Sequence, residues 1–171
     1  ISSGREVDSP AGGAISELAS YPLLAITKLL GTEPTEVISR AFWPEASLVD
    51  QFARIDLEYP DAIATAKVGI GVKAEGNLIV AGTRGYLYVP SPWWLTEYFE
   101  TRFEDPRQNR KYYYKYDGDG LRYELAEFVG LIRAGARESF KLPHQESLAI
   151  ARLIEESRAH PRLFGVGPEA D

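Results

Sequence analysis

The middle of this chain is a succession of strand-length runs, several joined by turns of only a few residues. Val37–Phe42, Phe52–Tyr59, Ile63–Val72, Asn77–Ala81 and Tyr86–Val89 are rich in Val, Ile, Tyr and Phe, and Glu97–Phe103 and Arg110–Tyr116 continue the series. YPDA, KAEGN, GTRG and DPRQN are turn-forming sequences between successive runs. Strands linked this closely pair as antiparallel neighbours, which predicts a meander. In the second run Phe52, Ile55, Leu57 and Tyr59 partly alternate with Arg54, Asp56 and Glu58, the pattern of a sheet with one wet face.

Helical spacing appears only at the two ends. Ile15, Leu18, Tyr21, Ala25, Ile26, Leu29 and Leu30 recur at intervals of three and four, and Gly31 and Pro34 end the run. Pro22 cannot donate to the helical ladder, so a kink or restart is expected near Ser20. Tyr123–Ile132 and Gln145–Arg158 carry the same spacing near the C-terminus. The order is helix, strands, helices. It predicts an α+β fold, with a mostly antiparallel sheet of six or seven strands, helices on one face and the other face open for oligomerisation. Residues 1–11 read as an irregular lead-in, 12–160 as the domain and 161–171 as a tail.

Several chemistries have little to stand on. The net charge of −6 offers no basic surface for nucleic acid or an anionic membrane. The longest apolar runs, Tyr21–Ile26 and Leu78–Ala81, are far too short to span a bilayer. The chain has no cysteine, which excludes disulfides and thiolate metal ligands and is the pattern of a reducing, cytoplasmic location. His144 and His160 are its only histidines, so neither a metal site nor a Ser–His–acid triad is expected. Gly69, Gly71 and Gly76 hint at a dinucleotide loop, but their spacing is off by one residue and they sit among strands; they read as glycines easing a bulge or close packing.

Two features stand out as candidate functional groups. In GGAISELASYP, Glu17 and Tyr21 lie four residues apart and share a helical face. A carboxylate and a phenol so placed form either a proton-handling pair or a solvated stripe. Trp93 and Trp94, between Pro92 and Leu95, form a contact surface for a carbohydrate or a subunit, or pack a sheet edge. Alternation places Tyr112, Tyr114 and Tyr116 on one side of their strand and Tyr113 on the other, and Tyr86 and Tyr88 join the first three as candidates for an associating sheet face.

GGAISELASYPLLAITKLLGTEPTEV resembles the opening of the C-terminal domain of the Gfo/Idh/MocA oxidoreductases, the family of glucose–fructose oxidoreductase and inositol dehydrogenase. There a double glycine opens a helix reading roughly G-G-x-x-x-D-x-G-x-[HY]. GNLIVAGTRGYLYVPSPWW is similar to the family's glycine-marked strand pair. DGDGLRYELAEFVGLIRAG and HQESLAIARLIEE resemble its two closing helices. The likeness runs from about Gly12 to Arg158.

The resemblance implies one domain of a two-domain enzyme. An N-terminal Rossmann domain would bind NAD or NADP and supply the lysine of an E-K-P motif. The present domain would contribute a pocket wall for a sugar, polyol or related hydroxy compound, and a sheet used for a homodimer or tetramer. The chain begins with Ile and lacks methionine, which fits a piece of a longer polypeptide that binds no cofactor by itself. Matched position by position, the family's aspartate falls on Glu17, its glycine on Ala19 and its histidine or tyrosine on Tyr21, which implies an acid/base role for Tyr21. Trp93 and Trp94 stand as the candidate substrate-binding residues. Glu17 is one methylene longer than the family's aspartate, and a methyl at Ala19 would narrow a ligand's approach. The alternative is a non-catalytic ligand-binding or assembly domain of the same fold.

Overall fold

A computed structural model describes residues 9–45 and 47–164. The expected lead-in, up to residue 8, and the last seven residues of the expected tail lie outside the described residues. The chain forms two compact units, one of residues up to 74 together with those from 138 onward, the other Glu75–Arg137.

The first unit holds helices α1 (Ala14–Leu18) and α2 (Ser20–Leu30), strands β1 (Glu36–Phe42), β2 (Phe52–Tyr59) and β3 (Ala62–Gly69), and, after the second unit, helix α4 (His144–Ala159) and strand β8 (Arg162–Phe164). β1, β2 and β3 form the expected antiparallel meander, and β8 adds a parallel edge beside β1, pairing Arg40 with Arg162. Three residues carry too little alternation to announce a strand, so β8 went unpredicted inside the tail.

Alternation along β2 sorts this sheet into two faces. Ala53, Ile55, Leu57 and Tyr59 are buried and join Ala14, Ile15, Ala19, Leu23 and Ile26 of the N-terminal helices and Ile150 and Leu153 of α4 in one core. The other face mixes apolar side chains (Ile38, Phe42, Phe52 and Ile63) with a polar network. Asp56 accepts hydrogen bonds there from Arg40, from Arg54 (2.8 Å from Nη2) and from Thr65 (2.8 Å). Tyr59 closes the end of α2 by donating its hydroxyl hydrogen to the Gly31 carbonyl at 3.0 Å, where Gly31 takes a φ of +97°.

The second unit holds β4 (Leu78–Gly82), β5 (Gly85–Val89), β6 (Tyr98–Phe103) and β7 (Arg110–Tyr113), an antiparallel meander in sequence order, followed by α3 (Leu121–Arg133). The α+β class with antiparallel sheets is as expected. The predicted strands divide, however, between two four-stranded sheets instead of forming one sheet of six or seven. The division falls at residues 70–77, where Gly71 and Gly76 adopt left-handed backbone (φ +75° and +67°) and β4 takes β5, not β3, as its partner. Both elements joined by this glycine-marked segment are strands.

Register corrects the expected tyrosine face. Tyr88 lies opposite Glu100, Glu100 opposite Lys111, and Tyr98 opposite Tyr113, so Tyr86, Tyr88, Tyr98 and Tyr113 share one side of the sheet. Tyr112 falls on the other side, its ring stacked on Phe99 at 4.9 Å, with Tyr114 stacked on the same ring at 5.9 Å. On the first side Lys111 sits 3.5 Å above the Tyr98 ring and Arg102 sits 4.6 Å above that of Tyr88. Glu100 joins the two cations, 2.7 Å from Arg102 and 3.7 Å from Lys111. The Arg102 hydrogen bond and nearby cationic charge hold the Glu100 carboxyl below its usual range.

Candidate functional site

The helix carrying Glu17 and Tyr21 starts on glycine and is anchored from elsewhere in the chain. Gly13 has a φ of +106°, backbone that an L side chain rarely adopts. Asp50, 35 residues from Ile15 in sequence, packs against this turn. Its backbone carbonyl accepts the Ala14 N–H at 2.9 Å and its Oδ2 accepts the Ile15 N–H at 3.0 Å. A helix start leaves such N–H groups unpaired, and no side chain of the local sequence caps this one. Asp50 is buried, and burial raises its carboxyl above the ordinary range; the Ile15 N–H and the charge of Arg158 oppose that rise.

The helix interrupts at Ala19, one residue from the expected point. Pro22 has no N–H to return to the Leu18 carbonyl, yet Ala19 stays right-handed helical (φ −67°, ψ −24°). The bonds from Ala19 N–H to Ile15 and from Leu23 N–H to Ala19 carry the coil across the break. Glu17 and Tyr21 consequently fall on one flank, a turn apart. Ile15, Ala19 and Leu23 are buried, whereas Glu17 is exposed and Tyr21 is 54% exposed. Ala19 is wholly buried in the core and does not share the Tyr21 flank. The result is a phenol presented outward from a helix fixed on its other side.

Trp93 and Trp94 belong to the second unit, in the 3-10 turn Trp93–Leu95. Their rings meet edge to face at 6.1 Å and 87°. The Trp93 backbone N–H donates to the Gly76 carbonyl at 2.9 Å. Trp93 is half-buried and Trp94 is 53% exposed. The four candidates therefore form two pairs, one in each unit.

Asp50 is the residue that sequence reasoning missed. It stands in no motif, and only the fold brings it to Gly13. The Tyr98–Glu100–Arg102–Lys111 group was also missed, although YFETR set against RKYY in antiparallel register carries the signal. Among the described residues no cluster of three or more metal-ligating side chains occurs, and no helix is long and apolar enough to cross a membrane.

No protein-family profile matches the chain. Among curated proteins it is similar to trans-1,2-dihydrobenzene-1,2-diol dehydrogenase of Oryctolagus cuniculus, 28% identical over 162 residues that cover 90% of this chain and 49% of that protein. Among solved structures it shares its fold with KijD10, a 3-ketoreductase from Actinomadura kijaniata in complex with TDP-benzene and NADP (TM-score 0.75, 16% identity, 91% of this chain and 49% of the other). It also shares its fold with an oxidoreductase from Agrobacterium radiobacter in complex with NAD+, L-tartaric acid and magnesium (TM-score 0.62, 14% identity, 85% and 47%). The chain thus spans about half the length of the dehydrogenase it matches, and its fold is that of about half of each oxidoreductase structure.

Proposed function

We propose that this chain is the C-terminal, substrate-side and oligomerising domain of a cytoplasmic NAD(P)-dependent oxidoreductase of the Gfo/Idh/MocA type, acting on a sugar, polyol or related hydroxy compound. Similarity to a diol dehydrogenase along nine-tenths of the chain supports the reaction class. The observation that carries the residue assignment is the outward-facing Tyr21 on a helix whose opposite face is fully buried.

Among the described residues Gly69, Gly71 and Gly76 lead from one strand to another, and no helix N-terminus follows them to meet a phosphate. On this reading cofactor binding belongs to the N-terminal Rossmann domain that the resemblance implies. The part left to this chain is the proton. When a carbinol becomes a carbonyl, its carbon loses a hydride and its hydroxyl loses a proton. Tyr21 accepts that proton in oxidation and returns it in reduction. Glu17 lies one turn earlier on the same flank. Trp93 and Trp94, considered by themselves in the second unit, present apolar ring faces of the kind that pack against a sugar or polyol.

Calorimetry with NADH and NADPH tests the division of labour. The 171-residue chain is expected to show no binding and the full polypeptide micromolar binding. Micromolar binding by the chain alone would overturn the domain assignment.

A further inference from the structure

Helix α3 presents its apolar side outward. Leu121, Leu125, Phe128 and Ile132 recur at intervals of four, three and four, a single stripe along the helix. Each is between 54% and 61% exposed, and Val129 beside them is exposed as well. Glu127 and Leu131, on another flank, are the half-buried positions, and no residue of α3 is buried. A free-standing domain that buried its helices would show the reverse.

We propose that the Leu121–Ile132 stripe is the docking surface for the half of the polypeptide lying outside these 171 residues, which the dehydrogenase relative's length implies. The inference rests on the reading above that the chain is one half of a larger enzyme. Area decides between that occupant and a second copy of the chain. Four large side chains exposed to this degree present an apolar strip on the order of 400 Å². Pairing two such strips buries roughly 800 Å², no more than a crystal-packing contact and short of the ~1,200 Å² or more of a stable association between separate molecules. A domain of the same chain needs less, because tethering holds it at millimolar effective concentration and interfaces between domains start at about 600 Å². The stripe suits an apolar face on a covalently attached neighbour.

Cysteine labelling tests this, since the chain has no cysteine of its own. Phe128→Cys and, separately, Gly130→Cys, on the side of α3 opposite the stripe where an added side chain meets open space, are introduced and reacted with a maleimide, with modification read on the peptide that contains each. In the 171-residue chain the two are expected to react alike. In the full polypeptide Cys at 128 is expected to react at least tenfold more slowly than Cys at 130, at every protein concentration. Equal rates in the full polypeptide would overturn the inference. So would slowing that disappears on dilution, which assigns the stripe to a second copy, and slowing already present in the 171-residue chain. Leu125→Cys gives a second reading of the stripe should the Phe128 variant not fold. NADPH binding by the full polypeptide separates the two ideas. Binding with a freely reactive 128 sinks the docking surface alone, and no binding with a protected 128 sinks the oxidoreductase reading alone.

Discussion

Asp50 fills the space that a side chain on Gly13 would require: a Cβ placed on Gly13 would lie 2.2 Å from Asp50 Oδ1. This contact fixes the start of the helix that carries Tyr21. It also accounts for the second glycine of the GG pair, which must combine a φ of +106° with room for a carboxylate.

Gly13→Ala should therefore be severe. Left-handed strain alone costs about 1–3 kcal/mol, and Asp50 must move as well, giving up its bond to Ile15. A loss of more than about 2 kcal/mol is expected in urea unfolding of the 171-residue chain. A loss below 0.5 kcal/mol would contradict the contact.

Asp50 itself gives a pH test. Burial favours its neutral form, so folding raises its pKa. A group raised on folding contributes most to stability below the ordinary carboxylate range, and that contribution is lost as pH climbs through the raised value. Asp50→Asn keeps an acceptor for the Ile15 N–H without the buried charge. It is expected to match or exceed the parent in stability at pH 7, with its advantage shrinking as the pH falls towards 4. Asp50→Ala loses the cap and should cost about 1 kcal/mol. An Asn variant less stable than the parent at pH 7 but not at pH 4 would reverse the sign and contradict the argument.

The tyrosine side of the second sheet predicts association. Tyr86, Tyr88, Tyr98 and Tyr113 lie there with Arg102 and Lys111 above their rings, and Tyr and Arg are enriched at interfaces between proteins. The chain is expected to be a dimer through this side, burying ~1,600 Å² in total. Light scattering should give twice 19.0 kDa at tens of micromolar. Arg102→Glu, which sets two carboxylates side by side with Glu100, should shift the midpoint of dissociation at least tenfold upward. A mass of 19.0 kDa that persists at tens of micromolar for the parent would contradict the interface.

The elements were legible because their causes are local. Alternation at Phe52–Tyr59 fixed that strand to the residue, and Pro22 announced the interruption that falls at Ala19. What escaped depends on contacts distant in sequence. Nothing near Gly13 names Asp50 as its partner, and nothing in the strand pattern says that β4 would abandon β3 for β5. The tyrosine face failed for a narrower reason. A side chain's face follows from pairing register, and Tyr86 and Tyr112 look alike until β5, β6 and β7 are aligned. That Glu17 and Tyr21 share one flank was readable from spacing alone, whereas the burial of Ala19 needed the core.

The central claim is that Tyr21 handles the proton in a nicotinamide-dependent oxidation. Its most direct test is the maximal rate of the full polypeptide with Tyr21→Phe, measured as NAD(P)H formed from diol and polyol substrates alongside the affinity for NADPH. Removing the hydroxyl alone is expected to lower the rate by ~100- to 10,000-fold and to leave NADPH affinity within about twofold. An unchanged rate would contradict the account and leave Tyr21 as a residue of the helix surface.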